Sequence, residues 1–242
     1  MSPTVQPQFP RKVVCSLPVA ALLLRVPKWL KFIVAVLLLP ACAGMVSALW
    51  RVLRASGNAT DVWVPLVAGA ACWLVIFANL PKPMWVYVVG HELTHVVWSW
   101  LFGGKVKKFR ASSSGGEVVV TKSNFLVALA PYFFPLYAVF VVVVFLVGHL
   151  IWNWSAWTPL FHGILGAAYA FHLTLTIEVL KTEQSDITSQ GYLFSGVSIF
   201  LGNALGLLLA IPLLTGQGRL LAVLGWWLEA TGAVLKHLST LL

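Results

Sequence analysis

The chain is expected to fold as an all-α polytopic membrane protein, with about six transmembrane helices and a small β-hairpin inserted after the helix that carries His91-Glu92-Leu93-Thr94-His95. Three observations lead there. Apolar residues make up 60% of the 242 positions, charged ones only 10%, and mean hydropathy is +0.90, far outside the range of soluble globular chains. The apolar residues fall in runs of about 20, the length that crosses about 30 Å of hydrocarbon as a helix. One polar stretch between two of those runs, Lys105 to Asn124, has strand and turn chemistry. Six spans with short loops fill this length, so one transmembrane domain is expected and no added soluble domain.

Residues 1–31 read as a basic interfacial leader. Pro3, Pro7, Pro10, Pro18 and Pro27 punctuate it, and its apolar piece, Val13 to Leu24, is broken by Pro18 and too short to span. The single transmembrane domain then runs over 32–242. Its first span is Phe32 to Trp50. Leu39-Pro40-Ala41-Cys42 resembles a cleavage box, but the proline within it and the charged leader before it favour an uncleaved helix. Val62 to Leu80 is the second span, stopped by Pro81-Lys82-Pro83. The third, 84–103, holds the His-Glu-x-x-His run. After it, Lys105 to Arg110 and Glu117 to Thr121 have strand character and are joined by the turn residues Ala111 to Gly116.

The fourth span, 125–152, contains Ala130-Pro131-Tyr132-Phe133-Phe134-Pro135, where two prolines should kink or unwind its start. Trp152, Trp154 and Trp157 read as an interfacial aromatic belt, and the fifth span follows over 159–180. A polar patch, Lys181 to Gly191, leads into the sixth, 192–214, whose Gly202 and Gly206 stand at a spacing that admits a close neighbour. The stretch 220–242 carries Glu229, Lys236 and His237 and reads as a further helix, partly amphipathic. The formal charge of +9 sits between apolar runs, so anionic lipid headgroups, not nucleic acid, are the expected partner. Cys15, Cys42 and Cys72 lack CxxC spacing and lie in apolar surroundings, as packing residues do. A multi-pass protein of a bacterial inner (plasma) membrane is the expected setting.

The His-Glu-x-x-His run carries the chemistry. On a helix, His91 and His95 project from one face and can grip a single metal ion, with Glu92 beside them. Three ionisable side chains in an apolar run are costly unless paired or metal-bound. Neutral imidazoles suit zinc, and a catalytic zinc takes three protein ligands and leaves a position for water, whose proton a neighbouring carboxylate such as Glu92 can accept. Two histidines are an incomplete set. Candidates for the third ligand are His162 and His172 in the fifth span, Glu178 and Glu183 at its end, and Asp186 before the sixth.

An HExxH helix followed by a hairpin, a proline-broken span and an acidic residue at a later helix start resembles the site-2 protease family of intramembrane zinc metallopeptidases. The resemblance covers roughly His91 to Asn203. The family's usual second motif, of Asn-Pro or Leu-Asp-Gly type, is absent, and no glycine follows Asp186 before Gly191, which marks a divergent branch. The resemblance implies that zinc is held by His91, His95 and Asp186, with His172 as second choice to Asp186. It also implies that Glu92 is the catalytic base and that a peptide bond of a membrane protein or membrane-associated peptide is hydrolysed. It implies a role for the hairpin in binding substrate as an added strand, which makes Val118, Val119 and Val120 candidate contacts. Asn203 is a further candidate, as a donor to the oxyanion or the substrate backbone, with helix packing as its plainer role. A non-proteolytic zinc-binding scaffold is the alternative function. A transporter is disfavoured, because charged residues are nearly absent from the other spans.

Overall fold

Helix α1 (Lys28–Ser56) begins directly behind Pro27, whose carbonyl accepts from Leu30 and Lys31. The computed structural model describes residues 26–112 and 115–241. Most of the leader, with Cys15, lies outside the described residues, but its last four positions form the first turn of α1, so this helix starts before the expected Phe32. With 29 residues it is about 43 Å long at 1.5 Å per residue, more than the hydrocarbon thickness. Its ends therefore carry Lys28 and Lys31, and Arg51 and Arg54, to headgroup depth on both sides.

Helix α2 (Thr60–Asn79) stops at Leu80, ahead of the Pro81-Lys82-Pro83 break, and α3 (Met84–Leu101) follows. The polar stretch forms the expected hairpin, β1 (Val106–Ser112) antiparallel to β2 (Gly115–Val120). Its strands extend further into the turn residues than expected: Ala111 pairs Gly116 and Ser112 pairs Gly115. A register shift between Val106 and Lys108 marks a bulge. The buried face of β2 is apolar, with Val118 and Val120 packed on Val96 of α3.

The fourth apolar run is two helices, α4 (Phe125–Phe133) and α5 (Leu136–Trp152), bent by 75° at Phe134-Pro135. Pro135 has no N–H, and the Leu136 N–H turns to the Phe134 carbonyl at 2.9 Å, so the Tyr132 carbonyl loses its in-helix donor. The Asn203 amide supplies one at 3.0 Å. A 3-10 turn at Trp154–Trp157 leads into α6 (Thr158–Leu180), then come α7 (Ser185–Gln190), α8 (Tyr192–Thr215) and α9 (Leu220–Ser239).

Two helix groups carry most of the packing. In one, Met45 and Val52 of α1, Leu208 of α8 and Val223 of α9 form a shared core, and Trp227 Nε1 donates to the Ala41 carbonyl at 2.9 Å. In the other, α2 lies backbone to backbone against α6. A Cβ on Gly69 would stand 1.8 Å from the Gly163 carbonyl oxygen, and one on Gly166 1.9 Å from that of Leu66, so only glycine permits this approach. The Gly202/Gly206 pair serves otherwise: Gly202 receives the Phe133 ring, and Gly206 faces open space.

Among the described residues, four helices are long and apolar enough to cross a membrane: α1, α2, α6 with the turn before it, and α8. The bent pair α4–α5 makes a fifth if counted as one. The expected count of about six is not reached by this measure, because α3, one of the expected spans, carries His91, Glu92 and His95, which lower its hydropathy. Leu37, Val67, Val75, Leu150 and Leu221 are exposed on the outer helix faces, a surface suited to acyl chains.

Candidate metal centre

The site is built on α3. Tyr87 N–H bonds the Pro83 carbonyl at the start of this helix, and its end is marked by Gly103, whose φ of 69° lies in the left-handed region. The four-residue spacing puts His91 and His95 on one face, with ring centroids 5.0 Å apart and the planes nearly perpendicular. His95 is fully buried, and its Nδ1 lies 2.8 Å from the Val127 carbonyl. A carbonyl only accepts, so Nδ1 holds the proton and Nε2 presents a lone pair. Val127 is placed by Asn124, whose side chain caps α4 by accepting from the Val127 N–H at 2.9 Å.

Asp186 reaches the same point from the other end of the chain. The short helix α7 is held by Ser195 Oγ on the Ile187 carbonyl and Ser189 Oγ on that of Asp186, and it ends at Gly191, where φ is 95°. Asp186 is 5% exposed, and its Oδ2 stands 3.6 Å from His91 Nε2 and 3.5 Å from His95 Nε2. Tyr132 donates its hydroxyl to the same oxygen at 3.2 Å, and its ring meets His91 edge-on at 5.3 Å. Burial opposes the carboxylate charge, but in the metal-free protein the facing His95 and His91 rings, in their protonated form, hold the Asp186 carboxyl well below the usual range.

These residues fit a metal ion. One ligand atom from each of His91, His95 and Asp186 lies within 4.8 Å of the others, and the group is buried. The separations of 3.5 and 3.6 Å exceed good hydrogen bonds and approach the spacing of about 3.4 Å between two ligands on a tetrahedral ion with bonds near 2.0–2.1 Å. Six buried polar side-chain atoms lack a partner among the described residues, and four belong to α3: His91 Nδ1, Glu92 Oε2, His95 Nε2 and Trp98 Nε1. Buried polar groups are ordinarily paired, so this clustering is the mark of a site made for something polar or cationic.

Glu92 lies beside the cluster, 5% exposed, under the glycine end of the hairpin. A Cβ on Gly116 would stand 2.4 Å from Glu92 Cγ and 2.6 Å from its Oε1, so the strand can pass here only as glycine. Other sequence candidates fall elsewhere. His162 is buried with Nδ1 3.4 Å from the Asp61 carbonyl, Glu178 pairs with Lys82 and Lys181, and Glu183 is exposed. His172 is buried on α6 but outside the three-residue group. Asn203 donates to the Tyr132 and Ile199 carbonyls at 3.0 Å each, leaving Oδ1 buried and unpaired. Val118 and Val120 point inward to Val96, and Val119 is half-buried.

Tyr132, Gly116 and the Val127 carbonyl are site members that sequence reasoning missed. Only Tyr132 had a visible signal, a hydrogen-bonding side chain between the two prolines of a broken apolar helix. Comparison of the chain with protein-family models, curated proteins and solved structures finds no match.

Proposed function

We propose that the protein is a membrane-embedded zinc metallopeptidase, a divergent relative of the site-2 protease family, which hydrolyses a peptide bond of a membrane-associated protein. One observation carries this reading: Asp186 meets His91 and His95 at ligand spacing, beside a buried carboxylate, Glu92, whose Oε2 has no hydrogen-bond partner among the described residues. Two imidazoles and a carboxylate are a donor set suited to zinc.

His91 Nε2, His95 Nε2 and Asp186 Oδ2 would hold the ion. Bound zinc supplies Lewis acidity, which makes water nucleophilic near neutral pH and polarises a carbonyl. Glu92 Oε2 takes the proton of the attacking water and returns it to the leaving amine nitrogen. Asp186 would balance part of the ion's charge, and Tyr132 donates to that carboxylate and holds it in place. The hairpin excludes water above Glu92. Among the described residues no third strand flanks β2, and an unwound substrate segment can add its main chain along that open edge. Because Val118 and Val120 face inward, main-chain hydrogen bonds rather than these side chains would hold it.

The test pairs metal content with cleavage. Wild-type protein purified in detergent is expected to hold about one zinc per chain, lost in His91→Ala and Asp186→Ala. Glu92→Gln is expected to keep its zinc and lose about 10²–10⁴-fold in cleavage of single-span peptides co-reconstituted in liposomes. Zinc retained in Asp186→Ala would overturn the ligand set. A Glu92→Gln chain that keeps its cellular role in full would move the protein to the zinc-binding scaffold reading.

A further inference from the structure

Helices α3 and α6 meet in antiparallel register along one polar seam. Lys82, just ahead of α3, pairs with Glu178 at 2.7 Å. One turn further along α3, the Tyr87 hydroxyl stands 3.3 Å from Thr176 Oγ1. Carried one turn further, the same register sets His91, four residues beyond Tyr87, towards His172, four residues before Thr176. His172 is 6% exposed, and its Nε2 is buried without a partner among the described residues. His91 Nδ1 is buried without a partner as well.

The two unpaired nitrogens are complementary. With Nε2 directed at the ligand group, His91 carries its proton on Nδ1 and needs an acceptor there; a neutral histidine offers one. Metal-ligating histidines ordinarily donate the second ring N–H to an outer partner that fixes ring orientation and tautomer. His95 has such a partner in the Val127 carbonyl. For His91 no carbonyl or carboxylate among the described residues fills that place, and the polar groups along the seam include His172, Thr176 and Tyr87, the last with its ring 5.9 Å from that of His91. A water among these groups would have the two to four polar partners that buried waters keep.

We propose that His172 is the positioning residue of His91, accepting from its Nδ1–H across one ordered water in the seam between α3 and α6. The inference rests on the metal reading above and adds to it: the ligand set is held from two helices, by Tyr132 and the Val127 carbonyl of α4 and by His172 of α6. His172 touches neither the ion nor the substrate, and acts through His91.

Cobalt(II) titration of the full chain in detergent tests this, for wild type, His172→Leu and His172→Gln. The leucine variant keeps the volume and removes the acceptor, and is expected to bind cobalt about 10–100-fold more weakly with unchanged visible absorption bands, since no ligand is lost. The glutamine variant keeps an acceptor at similar reach and is expected to recover most of that loss. Metal-free His172→Leu should melt no lower than wild type, because it removes a buried unpaired nitrogen. Should His172→Leu fail to fold, His172→Asn, too short to reach, is expected to show the same weakening. Wild-type affinity in His172→Leu or His172→Asn would overturn the inference, as would shifted cobalt bands, which would make His172 a ligand. An equal loss of metal-free stability would also overturn it, by reducing His172 to a packing role. Failure of wild type to bind cobalt would remove the metal reading and this inference together, whereas equal binding by wild type and His172→Leu removes only the inference.

Discussion

Tyr132 donates to Asp186 Oδ2 while its ring leans on His91, so one side chain braces two of the three residues that could hold a metal ion. Tyr132→Phe keeps the ring and removes the donor; zinc affinity measured by competition with a chelator should fall about 10–100-fold with secondary structure unchanged. Asp186 also predicts a pH effect in the metal-free protein. Its folded pKa lies below the unfolded value of about 3.9, so its charge contributes stability in full above that value and loses the contribution as pH falls toward the folded value. Asp186→Asn should therefore flatten the fall in melting temperature below about pH 4. At this scale the sequence was informative wherever one helix fixes two residues. His91, Glu92 and His95 are set by the 3.6-residue period alone, whereas Asp186 stood among five candidates, because its meeting with His91 depends on how α7 packs.

The hairpin and the broken helix are the elements that shape the site. Gly116 lies so close to Glu92 that Gly116→Ala places a methyl group within 2.4 Å of Glu92 Cγ. Displacement of β2 should cost about 1–3 kcal/mol in stability and abolish peptide cleavage, while zinc content, which depends on residues elsewhere, stays at the wild-type level. Melting temperature, zinc analysis and a liposome cleavage assay on the same preparation check all three. Element existence was legible almost throughout, since long apolar runs and proline stops are local signals: α2 and α3 lie within two residues of their expected bounds. The hairpin's contact with Glu92 was not legible, because a glycine in turn-rich sequence signals flexibility as readily as close approach. Nor was the placing of Asn203. Its role as donor to the Tyr132 carbonyl follows from a carbonyl freed at Pro135, 68 positions earlier in the chain (203 − 135), which no local pattern connects to it.

The whole molecule presents apolar side chains outward, and Cys72 tests what they face. This residue is exposed in α2, a helix whose only buried position is Val62. In a background with Cys15→Ala and Cys42→Ala, a membrane-impermeant charged maleimide should leave Cys72 unlabelled in liposomes and an apolar maleimide should label it, as mass spectrometry would report; labelling by the charged reagent would place α2 in water. The split ligand set has a further effect on the protein's biosynthesis. His91 and Asp186 are 95 positions apart (186 − 91), so at about 5–20 residues per second of synthesis the nascent chain carries an unclosed histidine pair for about 5–20 s before the carboxylate is made. Until α7 has docked, the emerging protein has only a two-ligand grip on metal. Under the function proposed above, the chain would complete its zinc site, and with it any hydrolytic activity, only after α7 has been made and docked.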